Sequence, residues 1–125
     1  MAGEDRVERR LAAIFAADIA GYSRLMNIDE LGTVQTLTAY RETMDGLIKQ
    51  RGGRVANTAG DSVLAEFPSV VDAVECAVAI QLQLGEATVG IARDSVLRFR
   101  IGIHLGDVIV RGEDLLGDGV NVAAT

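Results

Sequence analysis

Two short strings of this sequence carry the residue types that could do chemistry. Residues 15–23 place Asp18 at the end of an apolar segment, directly before a loop of small residues. Residues 57–62 place Asp61 after a glycine, between two segments rich in strand-forming residues. Carboxylates at a strand end and on a neighbouring hairpin are hard oxygen ligands that suit Mg²⁺. If one sheet brings the two aspartates together, divalent ions there could hold the phosphates of a nucleotide and support phosphoryl transfer.

The composition is that of one globular domain. The chain has 125 residues, of which 49% are apolar and 24% are charged, and this is enough for a single hydrophobic core. The formal net charge of −6 argues against a general nucleic-acid binder, because contacts to a phosphate backbone need a basic face. An anionic nucleotide would therefore have to be held by metal ions and local donors.

The single cysteine and the lengths of the apolar runs indicate the cellular compartment of the chain. Cys76 has no second cysteine with which to form a disulfide, and its helical, apolar surroundings favour a small buried hydrophobe over a reactive thiol. The apolar run before Asp18 is at the bottom of the length range for the core of a secretion signal. No run approaches the roughly 20 apolar residues of a membrane span. We therefore expect a cytoplasmic chain without a membrane segment.

The segments around the two aspartates define the elements that must position them. Residues 1–10 are charged and short of core residues, which predicts a flexible lead-in. Gly52 and Gly53 are predicted to end the first long helix, where a left-handed cap is needed, and Ser69 to begin the second as its N-cap. The expected elements are, in order, strand 11–17, a loop or first helical turn at 21–27, helix 31–49, strands 54–59 and 62–67, helix 70–84, strand 97–105, a break at Gly106 and Asp107, strand 108–110, a loop at 112–114 and a helical turn at 120–124.

This order of elements predicts the fold class. A β-α-β-β-α-β-β succession is typical of an α+β, ferredoxin-like fold, a split βαβ with a βαββαβ core. The predicted last helix has only four or five residues, too few to bury a face. Residues 11–125 are thus expected to form a partial domain that is incomplete at its C-terminus.

The joint pattern of motifs and elements resembles the class III nucleotide cyclase catalytic domain. More narrowly, the chain is similar to bacterial adenylate/guanylate cyclase domains that open with the segments found here at residues 8–14 and 18–26. The resemblance spans nearly the whole chain, and the combination is specific, whereas either aspartate motif alone would be weak. It continues through residues 53–54, 59–62, 100–108 and 117–124.

The resemblance implies a metal site and a phosphate site. Asp18 and Asp61 would bind two Mg²⁺ or Mn²⁺ ions, and the carbonyl of Ile19 would complete the shell of one of them. Backbone N–H groups at a helix start favour anions. The residues that would lie there, under the triphosphate, are Gly21, Tyr22 and Ser23.

The resemblance also implies a partner protomer. In this family the purine and the transition state are contacted across a head-to-tail homodimer; Asp114 falls on the purine-binding aspartate, and Asn121 on the asparagine that orients the ribose. Two positions depart from the family. Asn57 replaces a purine-reading lysine, so it brings no charge and reads adenine and guanine less decisively. Thr125 replaces a transition-state arginine, and threonine cannot offset developing phosphate charge as a guanidinium does.

Three polar residues of the strand over 97–105 have less specific interpretations. Arg98 and Arg100 could attract phosphate, but a solvated strand face is the favoured interpretation. His104 has no second histidine or cysteine near it in the sequence, which favours a structural role over metal binding.

The leading interpretation is a nucleoside triphosphate cyclase domain of cyclic-nucleotide signalling. It would take ATP, or GTP, to the cyclic nucleotide and pyrophosphate, and these 125 residues alone would be weakly active or inactive. One alternative is a non-catalytic pseudo-cyclase that binds a nucleotide or a partner, or dimerises, without turnover. Another is a two-carboxylate enzyme such as a diguanylate cyclase, whose hairpin carries adjacent acids; here Ser62 follows Asp61.

Overall fold

The strands and helices follow one another as a split βαβ requires. A computed structural model describes residues 7–87, 96–111 and 114–116. Its elements are β1 (Val7–Ile19), α1 (Tyr22–Ile28), α2 (Glu30–Gln50), β2 (Arg54–Ala59), β3 (Ser62–Phe67), α3 (Val70–Ala87), β4 (Phe99–Arg111) and β5 (Asp114–Leu116).

The strands of the described residues form one antiparallel sheet in the order β2-β3-β1-β4-β5. β1 lies at the centre, and it pairs with β4 along its full length, from Val7↔Arg111 to Ile19↔Phe99. The order β2-β3-β1-β4, with the two long helices as crossovers, is that of a ferredoxin-like split βαβ. The predicted α+β fold class is confirmed.

α2 and α3 pack on one face of the sheet, which we call the covered face. Each helix turns an apolar stripe at intervals of three or four residues toward alternate side chains of the strands. Each fully buried side chain of this kind stabilises the fold by about 1.5–3 kcal/mol. The core here includes Phe15, Ala17, Ile19, Leu37, Met44, Ile48, Val63, Phe67, Cys76, Ile80 and Leu84.

The opposite side of the sheet, the second face, is formed by the intervening positions of the same strands. Its own small cluster buries Ala12, Ile14 and Val108, and none of the three described helices contributes a residue to it. β5 contacts β2 although the two strands occupy opposite edges of the sheet. The sheet therefore curls over its second face. By alternation from Ile14, Asp18 also belongs to this face.

Three predicted boundaries are wrong. β1 begins at Val7 rather than at residue 11, so the strand takes up the end of the segment expected to be a lead-in. β4 continues through Gly106 and Asp107, where a break was expected. Asp114, expected in a loop, begins β5. The first two errors have one cause, because the start of β1 pairs with the end of β4.

The helix ends agree better with the sequence. Gly52 follows α2 at φ 77°, the left-handed conformation that was expected there. The hydroxyl of Ser69 accepts a hydrogen bond from the Val71 N–H at 3.1 Å, as an N-cap does. The segment at 21–27 is largely a helix in its own right, α1. The helical turn expected at 120–124 lies outside the described residues. Within them, no helix is both long and apolar enough to span a membrane.

Cys76 provides a direct test of the core. It lies fully buried in α3, and burial raises the pKa of its thiol to about 11, although the nearby charge of Arg51 acts in the opposite direction. At pH 8 only about one thiol in 1,000 is then ionised, and the thiolate is the reactive form. We expect a disulfide reagent to modify the folded chain at least about 100-fold more slowly than the urea-unfolded chain. Similar rates in the two states would contradict this packing.

Candidate functional site

The end of β1 extends past its pairing with β3, and a side chain takes the place of β3 as the hydrogen-bond partner of the β1 backbone there. The last β1–β3 pair is Ala17↔Val63, whereas β1 continues to Ile19. The Oδ2 atom of Asp61 accepts a hydrogen bond from the Ile19 N–H at 2.8 Å, where β3 no longer pairs with β1. This bond places the Asp61 carboxylate beside the residue that follows Asp18. Asp18, Ile19 and Asp61, predicted from separate motifs, are thus brought together.

Asp61 occupies the predicted two-residue turn between β2 and β3. Gly60 has φ 57°, the left-handed conformation that a side chain would disfavour, and Ala59↔Ser62 closes the hairpin. The turn directs Asp61 toward β1 instead of along the hairpin. The predicted hairpin is confirmed.

Asp18 is held by an arginine of the neighbouring strand. Asp18 and Arg100 are direct cross-strand partners of β1 and β4. The guanidinium donates from Nε to Oδ1 at 2.8 Å and from Nη2 to Oδ2 at 3.1 Å, so both carboxylate oxygens are engaged. The hydrogen bond and the charge of Asp18 raise the pKa of Arg100, and the charge of Asp61 adds to the effect. Arg100 therefore lies in the electrostatic field of both carboxylates.

The interpretation of Arg100 as part of a solvated strand face was incomplete. Its side chain is 68% exposed, as that interpretation implied, yet it also forms the ion pair with Asp18. The two residues are 82 positions apart, and only the register of β1 against β4 makes them neighbours. An isolated arginine opposite an isolated aspartate is a weak signal in the sequence.

The segment after β1 presents backbone donors. α1 begins at Tyr22 after Gly21, and no side chain caps its first turn. Its first intrahelical bond runs from the Leu25 N–H to the Gly21 carbonyl, so the N–H groups of Tyr22, Ser23 and Arg24 have no partner within the helix. Ser23 is exposed, while Tyr22 packs partly against the core.

Arg24 is a second cation that sequence reasoning missed. A Cβ added to Gly21 would lie 3.6 Å from both Nε and Nη2 of Arg24, so its guanidinium lies over the loop. Together with Arg100 it supplies local positive charge in a chain that is acidic overall. Its position one turn into α1 is the only sequence signal, and it is not specific.

Of the residues expected to act from a partner protomer, Asn57 does not join this cluster. Asn57 is exposed on β2 beside an irregularity in the β2–β3 pairing, and it is the cross-strand partner of Leu64. Because Leu64 belongs to the second-face cluster, Asn57 lies on that face too. The backbone of Asp114 is in β5. Asn121 and Thr125 lie outside the described residues.

The donor set fits a divalent cation that also binds phosphate. Two carboxylates and the Ile19 carbonyl are hard oxygen donors of the kind Mg²⁺ and Mn²⁺ prefer. Over residues 7–87, 96–111 and 114–116, no group of three or more His, Cys, Asp or Glu residues could enclose a metal. Mg²⁺ sites in phosphoryl-transfer enzymes use one or two carboxylates together with phosphate oxygens and water, and Asp18 and Asp61 are a pair of this kind.

Comparison with known proteins agrees with this arrangement. Residues 7–125 match the family described as the adenylate and guanylate cyclase catalytic domain. A Rhizobium meliloti protein named "Putative adenylate cyclase 3" is 48% identical over 122 residues, which are 97% of this chain and 21% of that protein. The adenylate cyclase of Streptomyces coelicolor is 38% identical over 125 residues, 97% of this chain and 30% of that enzyme. The chain therefore spans less than a third of each of these relatives.

A solved structure extends the likeness to three dimensions. The adenylate/guanylate cyclase/hydrolase from Silicibacter pomeroyi superimposes with a TM-score of 0.89 at 42% identity, over 95% of this chain and 70% of that one. Fold and sequence define the class of protein: a class III nucleotide cyclase domain. The chain belongs to the adenylate and guanylate cyclase catalytic domain family.

Proposed function

We propose that this is a nucleoside triphosphate cyclase domain, of the kind that takes ATP to cyclic AMP and pyrophosphate, with GTP as the alternative substrate. The 125 residues by themselves are proposed to be weakly active or inactive. The observation that carries the proposal is the 2.8 Å hydrogen bond from the Ile19 N–H to Asp61, which gathers both motif aspartates at the end of β1. A nucleotide triphosphate needs such a site, since its charge has to be neutralised where the chain itself is acidic.

Asp18 and Asp61, with the Ile19 carbonyl, would hold two Mg²⁺ or Mn²⁺ ions. Bound there, the ions would supply Lewis-acid activation of the ribose 3′-oxygen and charge neutralisation of the leaving pyrophosphate. The protein's own contribution is to fix the oxygen donors: Asp61 through its bond to the backbone of β1, and Asp18 through its place in the centre of the sheet.

The cations beside the site would bind the triphosphate. Arg100 now binds both oxygens of Asp18, and its paired donors also suit phosphate, so it would bind the triphosphate when Asp18 served as a metal ligand. The N–H groups of Tyr22 and Ser23, which follow Gly21 and have no partner within α1, would donate hydrogen bonds to further phosphate oxygens.

The purine and ribose would be bound across a homodimer. Asn57 and Asp114 would contact the purine, and Asn121 the ribose, from the second protomer. The exposure of Asn57 on the second face, the face of Asp18, is consistent with an approach from another chain. We place the domain in cytoplasmic cyclic-nucleotide signalling.

Metal and nucleotide binding can be tested by thermal unfolding. Mn²⁺ with a non-hydrolysable ATP analogue should raise the melting temperature, because a ligand bound only by the folded state stabilises it by about 2.7 kcal/mol at 100 times its Kd. Asp18→Ala and Asp61→Ala should each abolish the increase, measured from each variant's own metal-free value. Asp72→Ala, on α3, is the matched control and should retain it. An undiminished increase in both site variants would remove the two-carboxylate site.

A further inference from the structure

The hairpin tip that carries Asp61 is tethered on two sides. Gly60 is exposed, and it directly follows β2, which is an edge strand of the sheet. Asp61 binds the backbone of β1, and the carbonyl of Gly60 accepts a hydrogen bond from Nη2 of Arg41, in the middle of α2. The hairpin tip is therefore bonded to the sheet through the Asp61 side chain and to α2 through the Gly60 carbonyl.

Arg41 is held by a rigid part of the fold. Its neighbours Tyr40 and Met44 are buried in the core, so α2 is fixed against the sheet at this point. The Nε atom of Arg41 is buried and has no hydrogen-bond partner among the described residues, and the same holds for Oδ1 of Asp45 one turn later. The Nε atom is thus packed against the protein, whereas the hydrogen bond from Nη2 to Gly60 lies at the surface.

A hydrogen bond from a charged donor is stronger than one between neutral groups. The bond from Arg41 goes to the Gly60 carbonyl, and it orients the peptide plane immediately before Asp61. We propose that Arg41 is a positioning residue for the metal-binding carboxylate: it fixes the β2–β3 turn so that Asp61 reaches the end of β1. This inference depends on the proposed metal site and adds a residue that touches neither metal nor nucleotide.

The test measures Mn²⁺ binding and the exchange of one amide. Arg41→Gln removes the charge and shortens the side chain, whereas Arg41→Lys keeps the charge and one donor group. Arg51→Gln is the matched control, because Arg51 lies at the end of the same helix, also has a buried unpartnered Nε and pairs with Glu75 at 3.0 Å, away from the turn. Affinity for Mn²⁺ alone is measured by electron paramagnetic resonance of the free ion. Hydrogen exchange of the Ile19 amide is followed by NMR without metal.

We expect Arg41→Gln to weaken Mn²⁺ binding about 5- to 10-fold and to accelerate exchange of the Ile19 amide by a similar factor, since one tether of the turn is lost. Amides inside β1, such as that of Ala13, should exchange as in the unmodified chain. Arg41→Lys should recover part of both changes, and Arg51→Gln should show neither.

Unchanged Mn²⁺ affinity or unchanged Ile19 exchange in Arg41→Gln would overturn the proposal. So would general acceleration across β1, because Arg41 would then serve overall stability. Asp18→Asn and Asp61→Asn separate this outcome from a failure of the proposed function. If neither aspartate variant weakens Mn²⁺ binding, the metal site itself is refuted and the role of Arg41 with it. If both do and Arg41→Gln does not, only the role of Arg41 is refuted.

Discussion

The 125-residue chain by itself is expected to form no cyclic AMP or cyclic GMP above a very slow background, from ATP or GTP, even in Mn²⁺. The resemblance to class III cyclases places a transition-state arginine at the position of Thr125. A guanidinium aimed at a transferring phosphoryl group is worth about 10³ or more in rate in related chemistry. Because Asp18 and Asp61 are retained, nucleotide binding should largely persist while transition-state stabilisation is lost.

Product formation with radiolabelled nucleotide measures this directly. Thr125→Arg alone should not restore turnover, because a guanidinium contributes to the rate only when it is held in place against the phosphoryl group. The same substitution followed by a C-terminal segment of the family should give measurable activity. Robust turnover by the unmodified chain would refute the expected defect and would make a positioned arginine unnecessary here.

Phe67→Ala should lower the free energy of unfolding by about 3–5 kcal/mol, because a large side chain is removed from a site that cannot collapse. Phe67 is 1% exposed, and its ring lies 5.8 Å from that of Phe15 at 55°. A Cβ added to Gly53 would come within 2.5 Å of the same ring, so the backbone after α2 is already in close contact with it. The cavity would therefore lie between the sheet and the end of α2.

Urea unfolding followed by circular dichroism gives the measurement. Phe67→Leu should cost clearly less than Phe67→Ala, because it retains most of the volume. Val78→Ala, at a position on α3 that is 52% exposed, should change the stability by less than about 0.5 kcal/mol. A cost below about 1 kcal/mol for Phe67→Ala would indicate that the core is not packed around this ring.

Local patterns in the sequence were sufficient for most elements. The apolar stripe that ends at Ile48 is helical in period, and Gly52 supplies the left-handed residue that ends α2. The turn at Gly60 and Asp61 can be predicted locally, because a glycine that accepts positive φ favours a two-residue hairpin. From these elements the order of a split βαβ follows, and so does the approach of Asp61 to the end of β1.

The errors arose where strand pairing decides the structure. The charged residues before Leu11 look unsuited to a strand when considered alone, and Gly106 and Asp107 look like a break. In the structure Arg10 pairs with Val108, and Ala12 with Gly106. Each of these two segments is therefore held in a strand by its pairing with the other. Pairing between residues so far apart in the chain has no local signature.

The residues of the candidate site divide in the same way, into those with a local sequence signal and those placed by strand pairing and packing. The aspartates were found because their motifs are local. The arginines depend on register and packing: Arg100 meets Asp18 only through the alignment of β1 with β4, and Arg41 meets Gly60 only through the placement of α2 beside the hairpin. Arginines on an amphipathic helix and on an alternating strand look like ordinary surface charge in the sequence.

The contrasting partners of the two aspartates give them different responses to ionic strength. Asp18 is held by an exposed guanidinium, and the screening length falls from about 8 Å at 0.15 M salt to about 3 Å at 1 M. Asp61 is held by a backbone amide at the end of the sheet, a short-range bond that dissolved ions screen far less. Concentrated salt would therefore loosen one carboxylate and leave the other in place, so that an arriving cation would meet a site with one movable ligand and one fixed ligand.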